Sequence, residues 1–240
     1  MKIHAIIPAR LGASRLPAKP LADIGGQPMI VHTMRAATAH PDIEDVCVAT
    51  DHADIAEAVR QAGGEAILTR TDHTTGTDRC LEAWQTWGRQ GAVINLQGDE
   101  PFPDDRHISA VCALLREGRF DVATVMRPAE RGEQESPHRV KVAAGMDGQA
   151  RYFSRSPIPN GGPFHIHLGI YGFTEGALER CALMPPEPLE QSERLEQLRW
   201  LAGGVSIGIT AVPGHHGPGP VDTPEDLEKV RRWFAVHGAG

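Results

Sequence analysis

Basic side chains follow the first apolar run of the chain. Arg10, Arg15 and Lys19 come after the segment 3–7, and no acidic residue occurs before Asp23. Open α/β sheets bind their ligands at the carboxyl ends of strands, so uncompensated cations there favour a polyanionic ligand. The same stretch contains a glycine and two prolines, which restrict its backbone. A restrained basic loop favours a phosphate site over a merely solvated one.

A carboxylate stands at the end of another apolar run. Asp99 lies in Gln97-Gly98-Asp99-Glu100-Pro101, directly after the segment 92–96. A carboxylate at a strand end is a suitable oxygen ligand for Mg²⁺ shared with substrate phosphates. The chain lacks the pattern Gly-x-x-x-x-Gly-Lys-[Ser/Thr], so it is not a P-loop ATPase. The alternative is that Asp99 simply caps a turn.

The pattern of elements predicts the fold that positions these groups. Apolar runs at 3–7, 46–50, 65–69, 92–96 and 121–126 alternate with helical patterns on short loops. This alternation predicts an α/β fold, with a mostly parallel sheet and helices on both faces. Pro8 is expected to end the first strand, because it has no N–H to donate.

The pattern changes after Arg127. A polar stretch is followed by alternating residues around a turn at Asp147-Gly148, which predicts an antiparallel hairpin. Further on, leucines at helical spacing predict one amphipathic helix over Leu189–Leu201.

Composition excludes several classes of protein. The 240 residues carry a net charge of −7, whereas a duplex-binding protein would have a basic surplus. No apolar run approaches membrane length, and no signal peptide precedes the first strand. The four cysteines are far apart, which favours buried thiols in a reducing cytosol. We therefore expect a cytoplasmic protein without nucleic-acid or membrane partners.

Two short patterns suggest other chemistry. His165 and His167 would share one face of a strand and could bind a metal, but no third ligand is placed to complete a zinc site. The match of Gly204-Val205-Ser206-Ile207-Gly208 to an esterase motif is expected to be accidental. That motif needs a strand-to-helix turn, and the segment 205–212 is predicted as continuous strand.

The basic loop resembles a known family signature in Pro8-Ala9-Arg10, Ser14-Arg15-Leu16-Pro17 and Lys19-Pro20-Leu21. It is similar to the opening of the acidic-sugar cytidylyltransferases, and most similar to the 3-deoxy-manno-octulosonate (Kdo) group. The similarity continues in Thr75-Gly76-Thr77-Asp78-Arg79, Gln97-Gly98-Asp99-Glu100-Pro101, Ser154-Arg155-Ser156-Pro157, His167-Leu168-Gly169-Ile170-Tyr171, Leu195-Glu196-Gln197-Leu198-Arg199 and Val221-Asp222-Thr223-Pro224. Two departures are His138, where the family usually has Asn, and a short connection over 160–165.

The resemblance implies a fold of the nucleotide-diphospho-sugar transferase type. It implies a single domain over 1–240, in which 127–173 is an antiparallel insertion that serves the sugar site and dimerisation. A homodimer is expected. The implied reaction converts CTP and Kdo to CMP-Kdo and pyrophosphate, which activates Kdo for lipopolysaccharide synthesis. The alternatives are another acidic sugar, 8-amino-Kdo or neuraminate, and a non-catalytic sugar-nucleotide-binding protein.

The resemblance also assigns roles to individual residues. Mg²⁺ is the implied cofactor, held by Asp99 and Asp222. Nucleotide binding falls to Pro8, Ala9, Arg10, Arg15, Lys19, Thr75, Gly76 and Arg79. Binding of the acidic keto sugar falls to Gln97, Arg155, His167, Tyr171, Glu196 and Gln197. The catalytic set is Arg10, Lys19, Asp99 and Asp222. On local grounds alone, Thr75 or Thr77 could instead be a helix N-cap.

Overall fold

The computed structural model describes residues 1–12 and 16–238. Arg15, which the sequence assigns to nucleotide binding, lies outside the described residues.

The strands in the described part of the chain are β1 (Ile3–Ala9), β2 (Asp23–Ile24), β3 (Gln27–Pro28), β4 (Val46–Thr50), β5 (Glu65–Leu68), β6 (Ala92–Asn95), β7 (Val122–Pro128), β8 (Lys141–Ala144), β9 (Ala150–Ser154), β10 (His165–Phe173) and β11 (Ile207–Ala211). The α-helices there are α1 (Met29–Ala39), α2 (Ala53–Gln61), α3 (Gly76–Trp87), α4 (Asp105–Glu117), α5 (Ala177–Ala182), α6 (Pro188–Glu193), α7 (Gln197–Ala202) and α8 (Pro224–His237). Single 3₁₀ turns occur at Lys19–Leu21 and Glu133–Glu135.

The chain forms two compact units. The first unit comprises Lys2–Asp105 and His215–Gly240, and the second unit comprises Met1 and Arg106–Gly214.

A parallel sheet forms the centre of the first unit. Its strands lie in the order β6-β1-β4-β5, and Ala5 of β1 is in register with Val46 on one side and Ile94 on the other. Ile6 and Ile7 are fully buried, as expected for a strand covered on both faces. Helices α1, α2 and α3 pack against these strands. The predicted α/β fold with a mostly parallel sheet is confirmed.

The prediction that Pro8 ends the first strand is wrong. β1 continues to Ala9, and Pro8 stays in register with Ala49 of β4. The reason lies on the other side of β1, where pairing with β6 stops at Ile6. Beyond that point one side of β1 has no ladder partner in β6. A proline can stand there without removing a sheet hydrogen bond.

A small apolar core in the first unit joins residues near the C-terminus of the chain to residues near its N-terminus. Helix α8 starts with Thr223, which forms a reciprocal capping box with Asp226, and Pro224 occupies the first turn. The apolar side chains of this core are Ile24, Met29, Val221, Leu227 and Val230. This packing fixes the segment that carries Asp222.

The second unit contains the antiparallel part of the fold. β7 pairs with β11 in parallel and with β10 antiparallel, and β8 pairs antiparallel with both β9 and β10. The turn between β8 and β9 contains Gly148 at φ 76°, a conformation that glycine adopts without strain. The predicted hairpin is therefore confirmed. Gly208 lies within β11, so Ser206 is not at a strand-to-helix turn.

The predicted single helix over Leu189–Leu201 is wrong. The segment forms α6 and α7, with Arg194 between them at φ 55°. Glu193 explains the break, because its carboxylate accepts from Ser154 Oγ at 2.7 Å and from Arg155 N at 2.9 Å. Its backbone carbonyl accepts from Arg155 Nε at 2.9 Å. These tertiary contacts hold Glu193 in a position that a continuous helix would not allow.

Two predictions from composition concern the whole chain. All four cysteines are buried and free of disulfide bonds. Within the described residues, the helices are all too short or too polar to cross a lipid bilayer.

Candidate functional site

A cleft of about 340 Å³ opens in the first unit, a volume in the range of ligand sites. It is lined by Pro8, Ala9, Arg10, Leu16, Lys19, Pro20, His73, Thr74, Thr75, Gly76, Arg79, Gln97, Gly98, Asp99 and Asp222. Every described residue that the sequence assigns to the nucleotide lies in this lining. Gln97, assigned to the sugar, lies there too.

The topology explains why these residues meet. The basic loop follows β1 and Asp99 follows β6, and these two strands are parallel neighbours whose carboxyl ends share one edge. Gly98 allows the strand ends to approach closely, because a Cβ at Gly98 would lie 2.7 Å from the carbonyl oxygen of Pro8. The Val221 amide donates to the carbonyl oxygen of Asp99 at 2.9 Å. This hydrogen bond ties the segment before α8 to the end of β6.

The ammonium group of Lys19 lies between two carboxylates. Lys19 Nζ is 2.9 Å from Asp99 Oδ2 and 3.5 Å from Asp222 Oδ1. It also donates to the carbonyl oxygen of Val221 at 2.8 Å. The Lys19 side chain is only 15% exposed. Two acidic side chains more than 100 residues apart in sequence thus converge on one cation.

The donor set around this cation fits a hard metal ion. Asp99, Asp222 and the Val221 carbonyl supply oxygen atoms only, which is the ligand type that Mg²⁺ prefers. A metal that shares carboxylates with substrate phosphates needs few protein ligands. The geometry therefore agrees with the pair of metal ligands that the sequence predicts.

Arg79 lines the cleft, but its guanidinium is engaged inside the protein. Nη2 forms an ion pair with Asp51 at 2.9 Å, and Nη1 donates to Thr69 Oγ1 at 2.6 Å and to the Arg70 carbonyl at 3.2 Å. Asp51 also accepts from the Leu11 amide at 3.4 Å, at the start of the basic loop. Arg79 thus holds neighbouring segments together. Both terminal nitrogens have internal partners, and the predicted contact of Arg79 with a nucleotide base stays a prediction.

The turn before α3 is explained by helix capping. Thr75 Oγ1 accepts from the Asp78 amide at 3.1 Å, and the Asp78 carboxylate accepts from the Thr75 amide at 3.2 Å. This is a reciprocal capping box, which the sequence allows as the alternative role of Thr75. The cap fixes the backbone of the turn where it faces the cleft.

Two features in and beside the cleft, at His73 and at Glu100, could not be predicted from local sequence patterns. His73 lines the cleft and its Nε2 contacts Glu82 Oε2, although the two residues belong to different segments. Glu100, beside Asp99, lies 3.4 Å from the His215 ring. Burial, reinforced by the charges of Asp99 and Asp104, raises the pKa of Glu100 to about 7. Both features depend on residues that only the fold brings together.

His167 and Tyr171, assigned to the sugar, lie in an aromatic cluster of the second unit, in which Tyr171 is buried and His167 is half-buried. Burial lowers the pKa of His167 to about 3 and raises the pKa of Tyr171. The hydroxyl of Thr124 has one hydrogen, which points to the Ile170 carbonyl at 2.8 Å. It must then accept from His167 Nε2 at 2.9 Å. This nitrogen is therefore hydrogen-bonded within the protein, and the assignment of His167 to the sugar stays a prediction.

Arg155, predicted to bind the sugar carboxylate, donates to backbone carbonyls of the second unit. Its guanidinium reaches Pro137 O at 2.9 Å, Glu193 O at 2.9 Å and Arg194 O at 3.3 Å. Its own carbonyl accepts from the fully buried Lys141 ammonium. In the described structure, Arg155 therefore fixes loop backbone.

The remaining sugar assignments lie around α7. Glu196 forms an ion pair with Arg199 at 2.8 Å, and Gln197 is buried at the start of the helix. Like Arg155, these side chains belong to the second unit.

The first unit defines this chain as an α/β protein with a cleft in which basic residues and the carboxylates of Asp99 and Asp222 meet. Residues 4–207 match the cytidylyltransferase family model. The chain is 47% identical to a 3-deoxy-manno-octulosonate cytidylyltransferase of Azorhizobium caulinodans, over 97% of this chain and 96% of the relative. It is 42% identical to the enzyme of that name from Pectobacterium carotovorum, over 98% and 99%. This chain belongs to the cytidylyltransferase family, within the 3-deoxy-manno-octulosonate group.

Solved structures give the same result. One is a CMP:2-keto-3-deoxy-manno-octonic acid synthetase complexed with CTP, with a TM-score of 0.93 and 40% identity, covering 98% of this chain and 99% of that one. A cytidylyltransferase from Leptospira borgpetersenii has a TM-score of 0.65 at 19% identity, covering 98% and 87%. The second match shows the fold alone.

Proposed function

We propose that this chain is a Mg²⁺-dependent nucleotidyltransferase that converts CTP and Kdo to CMP-Kdo and pyrophosphate. The observation that carries the proposal is the convergence of Asp99 and Asp222 on one cation beside a basic loop. A protein that only binds sugar nucleotides has no need for paired metal carboxylates. The curated relatives that match nearly the full chain carry the name of this activity.

In the proposed reaction, Arg10 and Lys19 bind the triphosphate in the cleft. Lys19 is a compact point charge on a proline-bounded turn, which suits phosphate recognition without base selectivity. The anomeric hydroxyl of the sugar attacks the α-phosphorus. The new C–O–P linkage forms, the bond from the α-phosphorus to the bridging oxygen breaks, pyrophosphate leaves, and the hydroxyl proton passes to solvent.

Asp99 and Asp222 would hold Mg²⁺ next to the phosphates. When bound, Mg²⁺ supplies charge neutralisation and lowers the pKa of a hydroxyl near it. The protein's contribution is then mainly positioning, because both substrates must be held with the reacting atoms in line. Removal of divalent cations with EDTA should abolish turnover, and added Mg²⁺ should restore it.

For the sugar, we propose Gln97 of the first unit as a binding residue, and in the second unit Arg155, His167, Tyr171, Glu196 and Gln197. The second-unit residues would support sugar binding by ordering the backbone of the second unit, because Arg155 and His167 are hydrogen-bonded internally in the described structure. Arg155→Ala should therefore impair the use of the sugar and leave KM for CTP nearly unchanged. A raised KM for CTP alone would contradict this role.

We further propose that residues 1–240 act as one domain, with the segment 127–173 contributing to a homodimer in the cytoplasm. Sedimentation equilibrium of the purified chain measures its assembly. A dimer mass is expected, and a monomer at all concentrations would contradict it.

The decisive experiment measures pyrophosphate release over a panel of nucleoside triphosphates and 2-keto sugar acids. CTP with Kdo should give the highest kcat/KM. Asp99→Asn should abolish the activity. Glu228→Gln, a change in an exposed ion pair on α8, is the matched control and should not affect it. Preference for 8-amino-Kdo or neuraminate would reassign the sugar. Binding of CMP-sugars without turnover would indicate a binding protein.

A further inference from the structure

The imidazole of His73 is held in one orientation at the cleft. His73 lines the cleft, its side chain is only 8% exposed, and its Nε2 contacts Glu82 Oε2 on α3. Glu82 Oε2 also accepts from the Arg70 amide at 3.1 Å. The carboxylate is thus anchored both to the backbone and to the histidine. The ring cannot turn over without breaking its bond to Glu82.

This contact selects a tautomer. Burial alone would raise the pKa of Glu82, but the hydrogen bonds from His73 and from the Arg70 amide lower it overall. Glu82 is therefore a carboxylate at neutral pH and can only accept hydrogen bonds. A hydrogen must reside on His73 Nε2 for this contact, and in the neutral form of the ring this leaves Nδ1 as an acceptor. Among the described residues, none donates to Nδ1.

Cytosine and uracil differ at ring position 4. Cytosine carries an amine there, which donates, and uracil carries a carbonyl oxygen, which accepts. An acceptor on the protein pairs with the amine and opposes the carbonyl. Sites built around such a polar pairing discriminate far more strongly than apolar pockets do. His73 lies two residues before Thr75 and Gly76, which line the same cleft.

We propose that Glu82 fixes His73 as a hydrogen-bond acceptor at Nδ1, and that this acceptor binds the exocyclic amine of cytosine and selects CTP over UTP. The inference rests on the proposed function. It makes His73 a base-recognition residue and Glu82 a positioning residue that acts through it.

The sharpest test is Glu82→Lys. A lysine ammonium has three donors and no acceptor, so it can only donate to His73 Nε2. The ring hydrogen then moves to Nδ1, which becomes a donor suited to uracil. The kcat/KM ratio of CTP to UTP should fall by about tenfold or more. Glu57→Lys is the matched control, because Glu57 is exposed on α2 and bonds to Gln61 there, and its ratio should equal that of the wild type.

A second variant covers the case in which Glu82→Lys does not fold. His73→Phe keeps an aromatic ring at this position and removes both nitrogens, so the ratio should fall because CTP loses its partner. An unchanged ratio in either folded variant overturns the proposal.

The tautomer of His73 can also be determined by NMR, without an activity assay. The ¹⁵N NMR shifts of His73 should show hydrogen on Nε2 in the wild type and on Nδ1 in Glu82→Lys. Hydrogen on Nδ1 in the wild type overturns the inference. If the wild type shows no activity with CTP, the proposed function fails instead. Tighter binding of CMP than of UMP, lost in His73→Phe, then still supports the role of His73, and equal binding overturns it.

Discussion

Changing Asp51 to alanine removes one partner of an ion pair that is largely shielded from solvent. The side chains of Arg79 and Asp51 are 4% and 15% exposed, and the charged groups are 2.9 Å apart. In Asp51→Ala the guanidinium keeps its neutral acceptors, Thr69 Oγ1 and the Arg70 carbonyl, but has no counter-charge. Breaking a buried pair in this way costs about 3–5 kcal/mol.

The lower end of that range applies, because Asp51 is partly exposed and Arg79 keeps two hydrogen bonds. We expect the free energy of unfolding to fall by about 3 kcal/mol. For a chain of this length, each kcal/mol shifts Tm by about 2–4 °C, so Tm should fall by about 6–12 °C. Thermal unfolding followed by circular dichroism measures this shift.

The control is an exposed pair on α8. Arg231 and Glu228 are 2.6 Å apart, with side chains 39% and 55% exposed. Glu228→Ala should change stability by less than about 1 kcal/mol, because water solvates both charges. If the cost in Asp51→Ala comes from an uncompensated buried charge, Asp51→Ala with Arg79→Leu should lose less stability than the sum of the two single changes. Strict additivity, or a Tm for Asp51→Ala like that of the control, would refute the reasoning.

The other predictions concern the cation site and one ion pair. Asp99→Asn and Asp222→Asn should each nearly abolish turnover, and the double variant should lose little more, because residues that act on one ion are non-additive; additive losses in kcat would contradict a shared metal. Lys19→Ala should raise KM for CTP and UTP alike, and a change confined to one nucleotide would show base recognition instead. Hydrogen bonds from Arg127 at 2.6 Å lower the pKa of Glu133. The ionised form of Glu133 therefore stabilises the fold above its unfolded pKa of about 4.3. This contribution is lost as pH falls through the lower, folded pKa. Glu133→Gln should therefore lose stability at neutral pH and show a shallower loss in acid, as measured by urea unfolding between pH 3 and 7; a curve parallel to that of the wild type would contradict this.

The features of the fold that follow from local pattern could be predicted from the sequence. Continuous apolar runs gave β1, β4 and β6, because a strand buried on both faces needs apolar residues at every position. The break between α6 and α7 could not be predicted from the helical spacing of the leucines. It depends on hydrogen bonds that Ser154 and Arg155 donate to Glu193, and these partners are distant in sequence.

The candidate site also has features that the sequence predicts and features that it does not. The sequence assigns Lys19, Asp99 and Asp222 to one site. In the structure, the carboxylates of Asp99 and Asp222 both lie within 3.5 Å of the Lys19 ammonium group. The internal bonds of Arg79 were not predictable, because its partner Asp51 lies 28 positions away in sequence. Which charged side chain faces a ligand and which one holds the backbone is decided by long-range pairing, and one sequence contains no direct record of it.

The most direct test of the central claim is mass-spectrometric identification of the product that the purified chain forms from CTP, Kdo and Mg²⁺, with pyrophosphate quantified in the same reaction. The account predicts CMP-Kdo and pyrophosphate in equal amounts, with both products lost in Asp99→Asn. Release of CMP without a sugar ester, or no product from Kdo while another acidic sugar is activated, would contradict it.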